Sequence, residues 1–334
     1  MKPSQLGEAL YALLAERVPP HIWGATGIGK SQIVRQVADR MRCDLIDLRA
    51  VLLDPVDLRG LPTILKGQTR WIAPEFLPTA GRGILFLDEL TSAPPMTQAA
   101  CYQLVLERRL GEYRLPDEWC VVAAGNPASE RGVHHAMPRP LRNRFVHLTL
   151  EPDLHEWFQW ALAAGIRSEI IAFLRFKTAL FHDPAQPADA NAWPTPRSWE
   201  MVSRILCGQA KVRGQSFTTS ETEAAMFEGA IGAGAAAELA GFLRLFRELP
   251  SIDEILLNPD KAPVPTRPDA LVAVATALGR ALTPFSIGNG LRYLARIAEE
   301  FRVLAIRDAV ARDRGIAQTP EFIQFGVEHA EVLQ

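Results

Sequence analysis

The sequence predicts an α/β domain on a five-stranded parallel sheet, followed by a helical part. Two patterns carry this expectation. Five short, nearly continuous apolar runs alternate with helical patterns up to about residue 150, and only helical patterns follow. Runs that are apolar throughout, rather than at every second residue, fit strands covered on both faces, as parallel sheets are. Size agrees. With 334 residues, of which 48% are hydrophobic and 22% charged, the chain can bury one large core and a second, smaller one.

The elements follow in order. Leu6, Leu10, Leu13 and Leu14, with Glu8 and Glu16 between them, form an amphipathic helix rather than the unbroken apolar core of a signal peptide. The strand candidates are His21–Trp23, Leu45–Leu48, Ile84–Leu87, Cys120–Ala124 and Phe145–Leu150, and helices are expected at Ser31–Met41 and Thr97–Arg109. Two insertions read as β-hairpins: LPTILKGQTRW, turning at Lys66-Gly67-Gln68, and RRLGEYRLPDEW. Beyond residue 150, DLHEWFQWALAAG places Leu154, Trp157 and Ala161 on one helix face. A stretch rich in Pro, Ala and Asp then spans 183–196, and a helix begins near Pro196. From about 213 an alanine-rich helical stretch, Glu223–Leu249, runs to Pro250; LNPDKAPVPTRPD, with four prolines, separates it from helices resuming at 269. The expected division is 1–150 for the α/β domain, 151–212 for a helical lid and 213–334 for a C-terminal helical extension.

Composition narrows the function. A net charge of −2 makes no demand for a polyanionic partner. The four cysteines, Cys43, Cys101, Cys120 and Cys207, lack C-x-x-C spacing and read as reduced thiols of a cytoplasmic protein. No run is long enough to span a membrane.

Chemistry enters with Gly24-Ala25-Thr26-Gly27-Ile28-Gly29-Lys30-Ser31, which fits G-x-x-x-x-G-K-[ST] at every fixed position. Glycines let backbone N–H groups wrap phosphate oxygens, Lys30 reaches the terminal phosphates, and Ser31 offers a hydroxyl to Mg²⁺. Gln32 continues the first helical turn, and the set from Gly24 to Gln32 is assigned to nucleotide binding. In Ile84-Leu85-Phe86-Leu87-Asp88-Glu89, four apolar residues place two acids at the carboxyl end of a buried strand. Asp88 is positioned for the metal and Glu89 for the attacking water. Asn126 closes the apolar run Val121-Val122-Ala123-Ala124-Gly125, and its amide can both donate and accept beside a water and a γ-phosphate. An Asn-Pro in that place is by itself more often a turn. Arg139, Arg142 and Arg144 lead into the fifth strand and Arg197 opens a later helix; phosphoryl transfer needs such positive charge. His134-His135 has no third ligand at suitable spacing and reads as a loop.

Walker A at 24–31, Walker B at 84–89, Asn126, Arg144-Phe145 and Pro196-Arg197, with the phrases DPVDLRGLP and DELTSAPPMTQAACYQLVLERRLGEYRLPDEW, resemble an AAA+ ATPase of the MoxR family. The subgroup is the one associated with von Willebrand factor A (VWA) domain partners. The resemblance spans 18–207 and is softer from 213 onward. It implies a P-loop NTPase fold with ATP and Mg²⁺ as cofactors. Lys30 and Ser31 would lie at the phosphates, Asp88 at the metal, Glu89 as catalytic base and Asn126 as sensor 1. Arg144 would be the arginine finger acting in trans, with Arg142 the alternative two positions away, and Arg197 would be sensor 2. It further implies a homo-oligomer, a hexameric ring, acting on a protein partner. An AAA+ motor acting on nucleic acid and a nucleotide-gated scaffold with little turnover are the other readings. Lys66, Arg70, Arg108, Arg109 and Arg114 on the hairpins favour the former, against the near-neutral charge. An intact Glu89 and Arg144 oppose the latter.

Overall fold

A computed structural model describes residues 1–65, 67–128, 130, 134–183, 190–213 and 221–328. Lys66, residues 184–189 of the stretch expected between 183 and 196, and part of RGVHHAM lie outside them. The chain divides into two compact units, Met1–Asp153 and Leu154–Gln334.

The first unit opens with helix α1 (Pro3–Ala15), strand β1 (Pro20–Trp23), helix α2 (Lys30–Met41) and strand β2 (Asp44–Arg49). Helix α3 (Pro55–Arg59) leads to the hairpin β3 (Leu61–Leu65) and β4 (Gln68–Ile72). Strand β5 (Gly83–Asp88), helix α4 (Pro95–Glu107), a short hairpin of β6 (Arg109–Leu110) and β7 (Tyr113–Arg114), strand β8 (Trp119–Gly125), helix α5 (Arg139–Arg142) and strand β9 (Val146–Thr149) complete it. The five long-range strands pair in the order β2-β5-β8-β1-β9, all parallel. Each of the five apolar runs supplies one of them.

Alternation within the central strands explains why they read as unbroken apolar runs. Ile84, Phe86, Val122 and Ala124 pack with Ile22 against Leu6, Leu10, Leu14, Ile33, Val34 and Val37. Leu85, Leu87, Val121 and Ala123 pack on the other side with Leu90, Cys101 and Leu104. Both faces are covered, so every position must be apolar. At Gly83 a Cβ would lie 2.6 Å from the Trp119 ring, which lets that indole cross the start of β5 and donate from Nε1 to Ala80 O at 2.9 Å.

The second unit is helical: α6 (Leu154–Ala163), α7 (Ser168–Phe176), α8 (Pro196–Arg213), α9 (Glu221–Ile231), α10 (Ala233–Arg247), α11 (Ile252–Leu257), α12 (Pro268–Ala281), α13 (Ile287–Leu294), α14 (Glu299–Arg312) and α15 (Pro320–Glu328). The alanine-rich stretch expected to run on to Pro250 is two helices, broken at Gly232. That residue takes φ 79°, a backbone state open to glycine and costly to other residues. Trp157, Phe173 and Trp199 share a core with Phe227, Leu239, Phe242 and Ala273, so helices before and after residue 213 are packed together. Arg175 of α7 holds Asp308 of α14 through two hydrogen bonds of 2.5 and 2.7 Å and bonds Thr276 of α12 at 2.9 Å. Buried charges of this kind are tolerated only with their remaining hydrogen-bonding capacity met, and the threonine hydroxyl helps to meet it.

All four cysteines are free thiols. Burial pushes Cys101 up to about 12 and raises Cys43 and Cys120 as well, which keeps these three protonated and unreactive at neutral pH.

Candidate functional site

Parallel pairing puts the carboxyl ends of β1, β5 and β8 on one edge of the sheet. At β1 the order of strands reverses, since β2 lies beyond β5 on one side and β9 on the other. A crevice at such a reversal is where open α/β sheets take ligands.

Leaving β1, the chain makes its loop with Gly27 at φ 79° and Gly29 at φ 100°, states that a Cβ penalises. Helix α2 starts directly at Lys30, and the first N–H groups of a helix have no intrahelical partner, so loop and helix end together suit an anion. Lys30 is buried. Its ammonium donates to Gly24 O at 2.6 Å, Ala25 O at 2.9 Å and Asn126 Oδ1 at 2.8 Å. Asn126 Nδ2 in turn donates to Thr26 Oγ1 at 3.0 Å, so one amide joins the lysine to the loop. Ser31 Oγ donates to Asp88 Oδ2 at 2.8 Å, and Asp88 Oδ1 accepts the Glu89 N–H at 2.9 Å.

Glu89 itself sits in the left-handed region, with φ 56° and ψ 32°, a strained state for a residue with a side chain. Its carboxylate has no hydrogen bond or ion pair among the described residues. Gly125 secures the neighbouring segment by close approach: a Cβ there would fall 2.4 Å from Thr91 Oγ1, and that hydroxyl donates to Asn126 O at 3.3 Å.

Lys30, Ser31, Asp88, Glu89 and Asn126 are thus gathered around one loop. Gln32 is exposed on the first turn of α2. Arg144 stands exposed on the turn between α5 and β9, and Arg197 belongs to the second unit, on the first turn of α8. The guanidinium groups of Arg139, Arg142 and Arg144 have no partner among the described residues. Arg139 and Arg142, but not Arg144, line a cavity of about 580 Å³ with Trp23, Asn143, Phe145 and His147. His134 and His135 lie in no regular element, and among the described residues no cluster of three or more His, Cys, Asp or Glu could hold a metal.

Three side chains of this region were not singled out from the sequence. Asp47, on β2, is pushed up by burial and next by the charge of Asp88, with Glu89 adding to it against Arg49 and Arg35. Glu130 accepts from the loop itself: the Thr26 N–H donates to its Oε1 at 2.8 Å and the Thr26 hydroxyl to its Oε2 at 3.1 Å. His21, on β1, is fully buried, and neither ring nitrogen has a partner among the described residues. Burial, then the charges of His147 and Lys30, lower its pKa to about 3.

That shift has a measurable sign. Between the ordinary value of 6.5 and about 3, the unfolded chain takes a proton that the folded chain refuses, so stability falls as pH drops through this window. The slope is about 1.4 kcal/mol per pH unit. His21→Phe should remove it, and denaturant unfolding of both proteins between about pH 6 and pH 5 will show a flatter response in the variant. Equal slopes would mean that His21 is not held neutral.

Residues 21–147 match the model of the ATPase family associated with various cellular activities (AAA). No curated protein is significantly similar to the chain. Among solved structures, the chain is similar to NtrX from Brucella abortus in complex with ADP, at 18% identity over 98% of this chain and 67% of that one, with a TM-score of 0.43. It is also similar to the Thermotoga maritima RuvB Holliday junction branch migration motor, at 18% identity over 83% of this chain and 80% of that one, with a TM-score of 0.40. With its sheet order and loop, the first unit has a P-loop NTPase fold, and the match to the AAA family model lies within it.

Proposed function

We propose that the chain is a MoxR-type AAA+ ATPase that hydrolyses ATP at the subunit interfaces of a ring, hexameric by resemblance, and uses the cycle to remodel or activate a protein partner carrying a VWA domain. The hydrogen-bonded set Lys30, Asn126, Ser31 and Asp88 carries this reading, because it places a cation, an amide, a hydroxyl and a carboxylate around one anion-binding loop. In the same reading, the helices of 151–212 act as lid and those of 213–334 as extension.

The loop N–H groups and Lys30 bind the phosphates. Glu89 takes a proton from the attacking water as its oxygen bonds to the γ-phosphorus, and the bond to the bridging oxygen of ADP breaks. Asn126 orients that water. Ser31 Oγ and Asp88, oxygen donors 2.8 Å apart, fit a hard divalent cation such as Mg²⁺, which would supply charge neutralisation at the phosphates. Arg144, exposed and without an ionic partner among the described residues, suits a charge delivered to a neighbouring copy. A protein partner is favoured over nucleic acid by the first hairpin, which exposes Leu61, Ile64, Trp71 and Ile72, an apolar surface of the kind that meets proteins.

Electron microscopy with a slowly hydrolysed ATP analogue, with and without an isolated VWA domain, tests the proposal. Closed rings that retain the added domain are expected. Monomers that turn over ATP at full rate would overturn the ring.

A further inference from the structure

Glu130 does something that the ATPase reading does not require. Its carboxylate takes both donors of Thr26, the N–H at 2.8 Å and the hydroxyl at 3.1 Å. Thr26 is inside the phosphate loop, and its Oγ1 also accepts from Asn126, which accepts from Lys30. Four side chains therefore close a chain of contacts across the loop: Lys30, Asn126, Thr26 and Glu130. The far end of that chain is an anion supplied by the protein itself.

We infer that Glu130 is an internal competitor for the phosphate loop, and that a nucleotide's terminal phosphate binds by displacing its carboxylate from Thr26. The inference rests on the proposed ATP site. Two anions cannot share one N–H at hydrogen-bond distance without strong repulsion, and a phosphate group brings more charge than a carboxylate. Thr26 links Glu130 to the amide, since its hydroxyl donates to Glu130 and accepts from Asn126. The apparent affinity for ATP is thereby reduced in proportion to the fraction of molecules in which the Glu130 carboxylate is away from Thr26.

The test compares ATP binding by the full chain with binding by Glu130→Ala and Glu130→Gln, using a fluorescent ATP analogue in the presence of Mg²⁺ and thermal melts to establish folding. Hydrogen bonds to a charged acceptor are strong enough to keep the loop about nine-tenths occupied. Removing the carboxylate should therefore tighten ATP binding about tenfold in Glu130→Ala. Glu130→Gln, which keeps an acceptor without the charge, should gain less. The gain should persist at about 0.5 M salt, where repulsion acting at a distance is screened. Unchanged or weaker binding in a folded Glu130→Ala, or a gain that vanishes in salt, overturns the competition. Failure of the unaltered chain to bind ATP, or undiminished binding by Lys30→Ala, would instead bring down the ATP site.

Discussion

Lys30→Ala is expected to abolish ATP binding, whereas Glu89→Gln should bind ATP and fail to turn it over. The two differ because of where their charges stand. Lys30 is buried with its ammonium against Gly24 O, Ala25 O and Asn126 Oδ1, so its loss leaves three acceptors without a cation and, in the proposed site, removes the charge that would neutralise the phosphates. Glu89 contributes no side-chain hydrogen bond among the described residues, and the amide of Gln keeps its shape while removing its basicity. Loss of a positioned base lowers turnover by about 10²–10⁴-fold. Equilibrium binding of a fluorescent nucleotide, measured beside phosphate release, separates the variants. Wild-type turnover in both would remove the loop from the mechanism.

Arg144→Ala should leave nucleotide affinity nearly intact and lower turnover by about a thousandfold or more, the range for removing a guanidinium from a phosphoryl-transfer transition state. Mixed assemblies give the sharper reading. If Arg144 serves a neighbour's site, subunits carrying Arg144→Ala and subunits carrying Glu89→Gln will together form some interfaces in which both residues are intact, and part of the activity will return. Arg142 is the rival, because it lines the 580 Å³ cavity with Arg139 whereas Arg144 does not. Complementation by Arg142→Ala, with none by Arg144→Ala, would move the role to Arg142.

Local pattern made the sheet legible, and long-range placement hid part of the site. Ile84, Leu85, Phe86 and Leu87 could be read as a buried strand because both faces of β5 are covered; an edge strand with a half-exposed pattern, like β2, announces itself less clearly. Gly67 and Gly111, both at positive φ, marked the two hairpins in the sequence. Gly232 stands among alanines and other glycines, and nothing in that run distinguishes the one whose backbone state ends one helix and begins another. Glu130 had no motif around it, because its meaning lies in a contact with Thr26, 104 positions away. The charge of Asp88 acts on Asp47 only because β2 pairs with β5, setting Arg49 opposite Asp88. His21 passed as one member of an apolar run, and only burial without partners distinguishes it.

Strand order also governs when the loop can exist during synthesis. β1 pairs on one side with β8, setting His21 opposite Ala123, and on the other with β9, setting Pro20 opposite Val146. Both partners leave the ribosome long after β1 itself. Until then His21, Ile22 and Trp23 have no ladder to join, and the glycine loop that follows has no edge to stand on. Closing contacts of such sequence separation costs chain entropy before it returns any stability, so topologies of this kind fold slowly. The glycine loop is therefore made before the two strands that fix its position, and it is set only when they arrive. In the interval the apolar strands of the nascent chain are open to mispairing, a hazard of parallel sheets assembled from distant pieces.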